Sequence, residues 1–298
     1  MGLKGKVPPF RGSGVALATP FSGGLVDYPA LERLISFHID HQTDALVICA
    51  TTGEGSTLSR QERSEIVRFT VEHVNHRIPV IVGTGSNVTS ASVEMSMDAE
   101  KQGADGLLLV TPYYNKTSQA GLVQHFKRIA ECTTLPCILY NVPSRTGMSI
   151  ALDTYVELSR VPNIVATKEA SGNLELAEGI IKKCGEDLFV YSGEDRLNVP
   201  LALRGAVGCI SVLADIVPEE VHAMMTCGMN GEAEMALHMQ SYFQRLIDAL
   251  FVEVNPIPVK KALNLMGFCT GELRMPLVEL SSIQQEQLAS VLAEYKLL

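Results

Sequence analysis

The sequence lacks the features that mark several large classes of protein. Acidic residues outnumber basic ones by 33 to 24 among 298 residues, and the net charge of −9 argues against a surface for nucleic acid. No apolar run approaches the ~18–20 residues that a membrane-spanning helix needs. The segment Met1–Lys6 contains no apolar core of a signal peptide. We therefore expect a cytoplasmic protein with no nucleic-acid or membrane partner.

Cysteine and histidine are present, but not in the spacings of disulfide frameworks or metal sites. The seven cysteines are odd in number and include no C-x-x-C pair, which indicates reduced thiols. The seven histidines show neither H-x-x-x-H nor H-E-x-x-H spacing. We expect no metal site.

Short apolar runs alternate with amphipathic helical stretches along most of the chain. The strand candidates are Gly14–Ala18, Ala45–Cys49, Pro79–Val82, Gly106–Val110, Cys137–Tyr140, Ile164–Thr167, Phe189–Tyr191 and Val207–Ser211. Eight β/α units within about 220 residues fit a (β/α)₈ TIM barrel, a fold of typically ~250 residues. The alternative is a doubly wound open sheet, which usually carries G-x-G-x-x-G after its first strand. The segment Thr19–Gly24 does not match that motif, so we predict the barrel.

Helices are predicted between the strands and at the C-terminus. Ser59 and Glu62 form the S-x-x-E pattern of a capping box, which predicts a helix over Arg60–Val74. The strand signal disappears after Val217-Pro218. The later helix candidates are Glu219–Cys227, Gly231–Phe251, Val259–Met266 and Ser282–Leu297. We predict a barrel catalytic domain over residues 1–228 and a C-terminal helical appendage over residues 229–298.

Lys168 directly follows a short apolar, β-branched strand candidate. In a parallel barrel, the loops after the strands converge on one face, where the active site lies. A lysine held there among apolar walls is expected to have a lowered pKa, which makes its neutral, nucleophilic amine accessible. The alternative is a lysine at a strand end that reaches solvent.

The other strand ends supply polar groups. Thr51 and Thr52 precede a glycine turn that can present donors to a carboxylate. Tyr114 and Tyr140 supply phenols, and Arg145 can bind a carboxylate through two hydrogen bonds. Taken one at a time, these residues also fit alternatives: an ordinary glycine turn for the threonines, packing or a subunit interface for the tyrosine after the fourth strand, and a surface salt bridge for Arg145. Together they suit carbonyl chemistry through a Schiff base, with a tyrosine as the proton shuttle.

The ordered set of motifs resembles the dihydrodipicolinate synthase and N-acetylneuraminate lyase superfamily of class I aldolase-type barrels. The matching segments are Thr51–Glu54, Thr111–Tyr114, Tyr140–Gly147, Lys168–Asn173, Gly208–Ser211 and Phe251–Lys260. They occur in the order that the superfamily has, and they span essentially the whole chain. Each motif is modest alone, and the ordered set is specific.

The resemblance implies that Lys168 forms an imine with pyruvate and that no other cofactor is needed. Thr51 and Thr52 would hold the pyruvate carboxylate. Tyr140, Thr52 and Tyr114 would form a proton relay, with Tyr114 contributed by the neighbouring subunit of a tight dimer. The implied assembly is a homotetramer of two such dimers.

The resemblance also implies the second substrate. Arg145 would bind the carboxylate of L-aspartate 4-semialdehyde, while Gly193 and Ile210 would line the pyruvate pocket. The reaction would be that of a carbon–oxygen lyase in diaminopimelate and lysine biosynthesis. Two alternatives remain. One is another pyruvate aldolase, acting on N-acetylneuraminate or ketodeoxygluconate-type substrates, and the other is a non-catalytic keto-acid-binding regulator.

The resemblance further bears on feedback inhibition. Lysine-inhibited members bind the effector at the dimer interface with a glutamate that corresponds to Ala91 here, and histidines common nearby correspond to Arg60 and Arg63. Loss of a carboxylate partner should weaken the binding of an ammonium. We predict weak or absent inhibition by lysine.

Overall fold

Eight parallel strands close into a barrel in the computed structural model, which describes residues 5–298. The strands are β1 Gly12–Ala16, β2 Ala45–Ile48, β3 Val80–Gly83, β4 Gly106–Val110, β5 Cys137–Asn141, β6 Ile164–Glu169, β7 Phe189–Ser192 and β8 Gly208–Ser211. Each pairs in parallel with the next, and β1 pairs with both β2 and β8, which closes the sheet. The predicted (β/α)₈ barrel is confirmed. Met1–Lys4, part of the segment used for the expectation about a signal peptide, lie outside the described residues.

Helices cover the barrel and form its C-terminal extension. They are α1 Tyr28–Asp40, α2 Arg60–Val74, α3 Thr89–Lys101, α4 Gln119–Ala130, α5 Pro143–Thr146, α6 Leu152–Leu158, α7 Leu174–Cys184, α8 Asn198–Ala202, α9 Pro218–Met229, α10 Ala233–Tyr242, α11 Gln244–Leu250, α12 Ile257–Leu265 and α13 Ser282–Glu294. A short hairpin joins Phe21–Ser22 to Leu25–Val26. None of the helices in residues 5–298 has both the length and the apolar character to cross a membrane.

The strands are buried on both faces, which explains their continuous apolar runs. In β4, Leu108 packs inside the barrel, whereas Leu107 and Leu109 pack outward against the helices. Side chains alternate between the faces of a strand. Lys168 therefore shares the inner face of β6 with Ala166, which belongs to the apolar cluster inside the barrel.

Several predicted boundaries are wrong. Strand β6 continues through Glu169, because its backbone pairs with β5 and β7 up to that residue. The strand thus ends two residues later than the candidate Ile164–Thr167, and Lys168 is its penultimate residue. Strand β1 begins at Gly12, two residues earlier than expected.

The long helix predicted over Gly231–Phe251 is two helices, α10 and α11, which meet at Phe243. The ring of Phe243 is buried and stacks on Tyr295, with 5.6 Å between ring centroids. Apolar periodicity alone does not reveal such a break, because the apolar residues on both sides keep helical spacing. The proposed division between residues 228 and 229 falls at the last residue of α9, and it stays a prediction.

The N-terminal segment closes the amino end of the barrel, opposite to the carboxyl ends of the strands near which Lys168 lies. Phe10 enters the barrel and stacks on Tyr191, with 4.4 Å between ring centroids. The ammonium of Lys6 donates to the backbone carbonyls of Ser159, Val161 and Ile164 at 2.5, 2.7 and 2.6 Å. This segment is therefore held against the start of β6.

Candidate active site

Lys168 lies inside the barrel near the carboxyl ends of the strands. Only 5% of its surface is exposed. Its Nζ lies 4.7 Å from the centroid of the Tyr140 ring, on the neighbouring strand β5. The lysine does not reach bulk solvent, so the structure contradicts the alternative of a solvated strand-end lysine.

A cavity of about 430 Å³ opens beside Tyr140. Thr51 and Arg145 also line it, together with Val142 and Thr146. The structure therefore brings three of the predicted site residues to one cavity. Lys168 does not line the cavity itself, and it meets the cavity wall through the Tyr140 ring.

Gly193 lies next to the Lys168 side chain, and Ile210 shares the apolar surroundings of that side chain. A Cβ atom added to Gly193 would come within 2.8 Å of Lys168 Cγ and 2.9 Å of Cε, so glycine is needed to leave room for the lysine chain. Ile210 is buried inside the barrel in the cluster that includes Tyr140. Both therefore surround the inner part of the site and not its open cavity.

The turn after β2 presents Thr52 and Glu54. Thr52 is buried, and its Oγ1 accepts a hydrogen bond of 3.0 Å from the side-chain amide of Asn255. The backbone around Glu54 is left-handed, with φ of 50°, which turns its carboxylate away from the cavity toward α12. A Cβ atom on Gly55 would lie 2.0 Å from the carbonyl oxygen of Cys49, so only glycine allows this tight approach.

A buried ion pair fixes this turn to the C-terminal helices. Lys260 Nζ lies 2.6 Å from Glu54 Oε1, and the ammonium also lies 4.2 Å from the centroid of the Phe21 ring. The other carboxylate oxygen of Glu54 accepts from the backbone N–H of Arg274 at 3.0 Å. Burial lowers the pKa of Lys260, while the Glu54 carboxylate opposes that change. Lys260 belongs to the matching segment Phe251–Lys260, but the sequence pattern predicts no contact for it.

Arg145 lies in the short helix α5, directly after β5. Its Nη2 donates to the backbone carbonyl of Asn255 at 3.0 Å. A guanidinium has five N–H donors, so this bond leaves most of them for a ligand. Arg145 forms no salt bridge within residues 5–298, which disfavours a role in a surface salt bridge.

Tyr114 does not join the site of its own chain. It follows β4 in a left-handed conformation, with φ of 68°, and 91% of its surface is exposed. Its neighbour Tyr113 lines the cavity instead. A side chain so exposed is compatible with insertion into a neighbouring subunit, and this role of Tyr114 stays a prediction.

A hydrogen-bond network that no sequence pattern predicts supports β6 from outside the barrel. Because side chains alternate, Glu169 points outward where Lys168 points inward. Its carboxylate accepts from Asn141 Nδ2 at 3.0 Å, from the Tyr155 hydroxyl at 3.1 Å and from the backbone N–H of Ser171 at 2.7 Å. Burial raises the pKa of Glu169. The network holds the strand end that carries Lys168.

Asp215, which follows β8, is another buried carboxyl near the site. Its Oδ1 accepts from the backbone N–H of Ala18 at 3.1 Å, and its Oδ2 has no hydrogen-bond partner among the described residues. Burial raises the pKa of Asp215 well above its usual range, and the charge of Asp195 raises it further. Burial therefore favours the protonated form of Asp215.

No cluster of three or more histidine, cysteine, aspartate or glutamate side chains within residues 5–298 has the arrangement of a metal site. The side chains gathered near the cavity are an amine, a phenol, hydroxyls and a guanidinium. Such a set can form an imine, move protons and bind carboxylates.

Residues 9–295 match the family model described as the Dihydrodipicolinate synthetase family. The chain belongs to this family. It is 50% identical over 293 residues to a 4-hydroxy-tetrahydrodipicolinate synthase of Thermoanaerobacter sp. (strain X514), covering 98% of this chain and 99% of the relative. The predicted superfamily is thereby confirmed.

Solved structures agree over the same length. The crystal structure of dihydrodipicolinate synthase from Aquifex aeolicus superposes with a TM-score of 0.95 at 44% identity, covering 97% of this chain and 99% of that one. A structure titled as the first monomeric dihydrodipicolinate synthase variant has a TM-score of 0.95 at 40% identity, covering 97% and 98%. The similarity includes the C-terminal helices as well as the barrel.

Proposed function

We propose that this chain is a 4-hydroxy-tetrahydrodipicolinate synthase, a carbon–oxygen lyase that condenses pyruvate with L-aspartate 4-semialdehyde in diaminopimelate and lysine biosynthesis. The observation that carries the proposal is the position of Lys168, buried inside the barrel with its amine 4.7 Å from the Tyr140 ring. The shared name and the near-complete coverage of the relative at 50% identity support the same reaction.

The proposed chemistry begins at Lys168. Its neutral amine attacks the keto carbon of pyruvate, and loss of water gives an imine. The hydroxyls of Thr51 and Thr52 donate to the pyruvate carboxylate, while the Tyr140 phenol carries protons to and from the reacting oxygen. Loss of a proton from the methyl group then gives the enamine, which is the carbon nucleophile.

Arg145 selects the second substrate. The enamine attacks the aldehyde carbon of the semialdehyde, whose carboxylate the guanidinium binds through two hydrogen bonds. The amino group of that substrate then attacks the imine carbon, which closes the ring and releases Lys168. A short amino-acid aldehyde carries the carboxylate that this arginine needs. A long sugar aldehyde has no such group next to its reacting end.

Tyr114 would complete the proton relay from a neighbouring subunit. Its 91% exposure in the single chain supports this role, because a relay group must be enclosed in the working enzyme. We propose a homotetramer of two tight dimers in which each dimer shares Tyr114. We also propose a cytoplasmic location, in keeping with a biosynthetic reaction on small acids.

Two parallel assays test the reaction. One follows turnover of pyruvate with aspartate semialdehyde, and the other follows pyruvate release from N-acetylneuraminate. We expect turnover in the first assay and at most a trace in the second. Faster turnover of N-acetylneuraminate would favour the sugar-aldehyde aldolase and overturn the proposed function.

A further inference from the structure

Asn255 contacts two proposed substrate-binding residues at once. This residue lies between α11 and α12 and is only 6% exposed. Its side-chain Nδ2 donates to Thr52 Oγ1 at 3.0 Å, while its backbone carbonyl accepts from Arg145 Nη2 at 3.0 Å. One residue of the C-terminal extension thus bridges the turn after β2 and the helix after β5.

The position of Asn255 is fixed by its neighbours. The backbone carbonyl of Val254 accepts from Ile257 N–H at 2.9 Å, so the segment enters α12 through a closed turn. Five residues further on, Lys260 forms the buried bond with Glu54, which itself lies two residues after Thr52. The same two segments are therefore joined at two points, and Asn255 has little freedom to move away from Thr52.

The direction of the amide bond decides what the Thr52 hydroxyl can do. A hydroxyl has one proton to donate and two lone pairs to accept with. The Nδ2 group of Asn255 is only a donor, so it occupies a lone pair and leaves the Thr52 proton available. That proton can then be directed at a carboxylate or a phenolic oxygen in the site.

We propose that Asn255 is a positioning residue that acts on the two substrates through two different atoms. Its side-chain amide orients the Thr52 hydroxyl for pyruvate, and its backbone carbonyl holds Arg145 for the aldehyde substrate. This inference rests on the proposed function. The two contacts can be separated by mutation, because a side-chain substitution at Asn255 removes the contact with Thr52 and keeps the backbone contact with Arg145.

The primary variant is Asn255→Ala. We expect kcat/KM for pyruvate to fall by about 5- to 30-fold, the range for loss of one hydrogen bond to a reacting group. The KM for aspartate semialdehyde should stay within about twofold, since the backbone carbonyl remains to hold Arg145. Glu253→Ala is the matched control, because this neighbouring side chain is exposed and should leave all constants unchanged.

A double-mutant cycle separates positioning from general disruption. If Asn255 acts through Thr52, then Thr52→Val with Asn255→Ala should be no worse than Thr52→Val alone. Additive losses would overturn the inference. A rise in KM for aspartate semialdehyde equal to that for pyruvate would also overturn it, because that pattern indicates a disturbed fold.

The substitution Asn255→Asp tests the direction of the hydrogen bond to Thr52 with an isosteric side chain. It also replaces Asn255→Ala as the test if the alanine variant does not fold. An ionised carboxylate only accepts, so it draws the Thr52 proton away from the site and adds repulsion toward the pyruvate carboxylate. We expect a larger loss of kcat/KM for pyruvate than in Asn255→Ala, and equal or better activity would contradict the inference. If the unaltered enzyme does not turn over the substrate pair, the proposed function fails. If it does and both variants match it, only the role of Asn255 fails.

Discussion

Asp215 shows how a single buried side chain sets a pH dependence. Burial raises the pKa of its carboxyl well above the usual value, and its Oδ2 has no hydrogen-bond partner among the described residues. In the unfolded chain this carboxyl ionises near pH 3.9, whereas in the folded chain it keeps its proton to a much higher pH. Asp215 therefore destabilises the fold progressively as the pH rises above about 4.

The substitution Asp215→Asn removes this titration and keeps an acceptor for the N–H of Ala18. We expect the variant to gain stability over the unaltered protein as the pH rises above about 4 toward the raised pKa of the folded state, with each pKa unit worth about 1.4 kcal/mol. Thermal unfolding at a series of pH values measures the difference. A difference between the two proteins that stays constant over this range would show that Asp215 is ionised in the fold.

Arg63 bears on the predicted insensitivity to lysine. Its guanidinium donates to the backbone carbonyls of Cys49, Gly55 and Gly83 at 3.1, 2.5 and 2.7 Å, and it lines the same cavity as Ala91. Among residues 5–298, no aspartate or glutamate lines that cavity. An ammonium bound there would meet a fixed positive charge and no carboxylate, which disfavours lysine as a ligand.

We therefore expect assays with added L-lysine to show no half-inhibition below millimolar concentration. Ala91→Glu should increase the sensitivity to lysine, because it adds a carboxylate to the cavity wall. Ala91→Gln, which has the same length without the charge, is the matched control. Half-inhibition of the unaltered enzyme by sub-millimolar lysine would contradict the prediction.

At the scale of elements, the buried Glu54–Lys260 pair joins the turn after β2 to α12. The substitution Lys260→Met leaves the Glu54 carboxylate buried without its partner. We expect a loss of about 3–5 kcal/mol in the free energy of unfolding, the usual effect of breaking a buried pair from one side. Adding Glu54→Gln should recover part of that loss, since it removes the isolated charge. Urea denaturation measures both values.

The exposed pair Arg60–Glu94 is the control for that experiment, with 72% and 60% of the two side chains exposed. Breaking it by Arg60→Ala should cost less than about 1 kcal/mol, because solvent screens exposed charges. Equal losses at the two pairs would mean that the Glu54–Lys260 bond does not hold the turn.

The sequence predicts an element boundary well where a local signal marks it and poorly where contacts with distant segments determine it. Helix α2 has the predicted bounds, because Ser59 and Glu62 form both bonds of the capping box. The predicted end of β6 at Thr167 is two residues early, because the polar residues Lys168 and Glu169 interrupt the apolar run and only the backbone pairing with neighbouring strands extends β6 through them. A short-range signal determines the start of α2, whereas pairing with distant strands determines the end of β6.

At the scale of the whole molecule, the sequence predicts which residues meet in the active site but not which contacts hold those residues in position. The barrel periodicity and the family motifs indicate Lys168, Tyr140 and Arg145. The bond from Asn255 to Thr52 spans 203 positions in the chain, and no local pattern predicts it. Supporting contacts of this kind depend on how the C-terminal helices pack, which the sequence alone does not reveal.

Sharing of Tyr114 between subunits can be tested with mixed assemblies. One subunit carries Tyr114→Phe and a differently tagged subunit carries Lys168→Ala. If Tyr114 acts across the interface, the mixed dimer contains one complete site, and we expect activity well above that of either variant alone. Activity that stays at the level of the single variants would place Tyr114 in its own subunit's site or outside the relay.

The proposed reaction depends on the imine at Lys168. The direct measurement is borohydride reduction of the enzyme in the presence of pyruvate, followed by mass mapping of its peptides. We predict a reduced pyruvate adduct on the peptide that contains Lys168, and no adduct in Lys168→Ala. If the enzyme condenses its substrates but is labelled at another residue, or not at all, the proposed imine at Lys168 is contradicted. If the protein binds pyruvate without being labelled, a non-catalytic regulator is favoured.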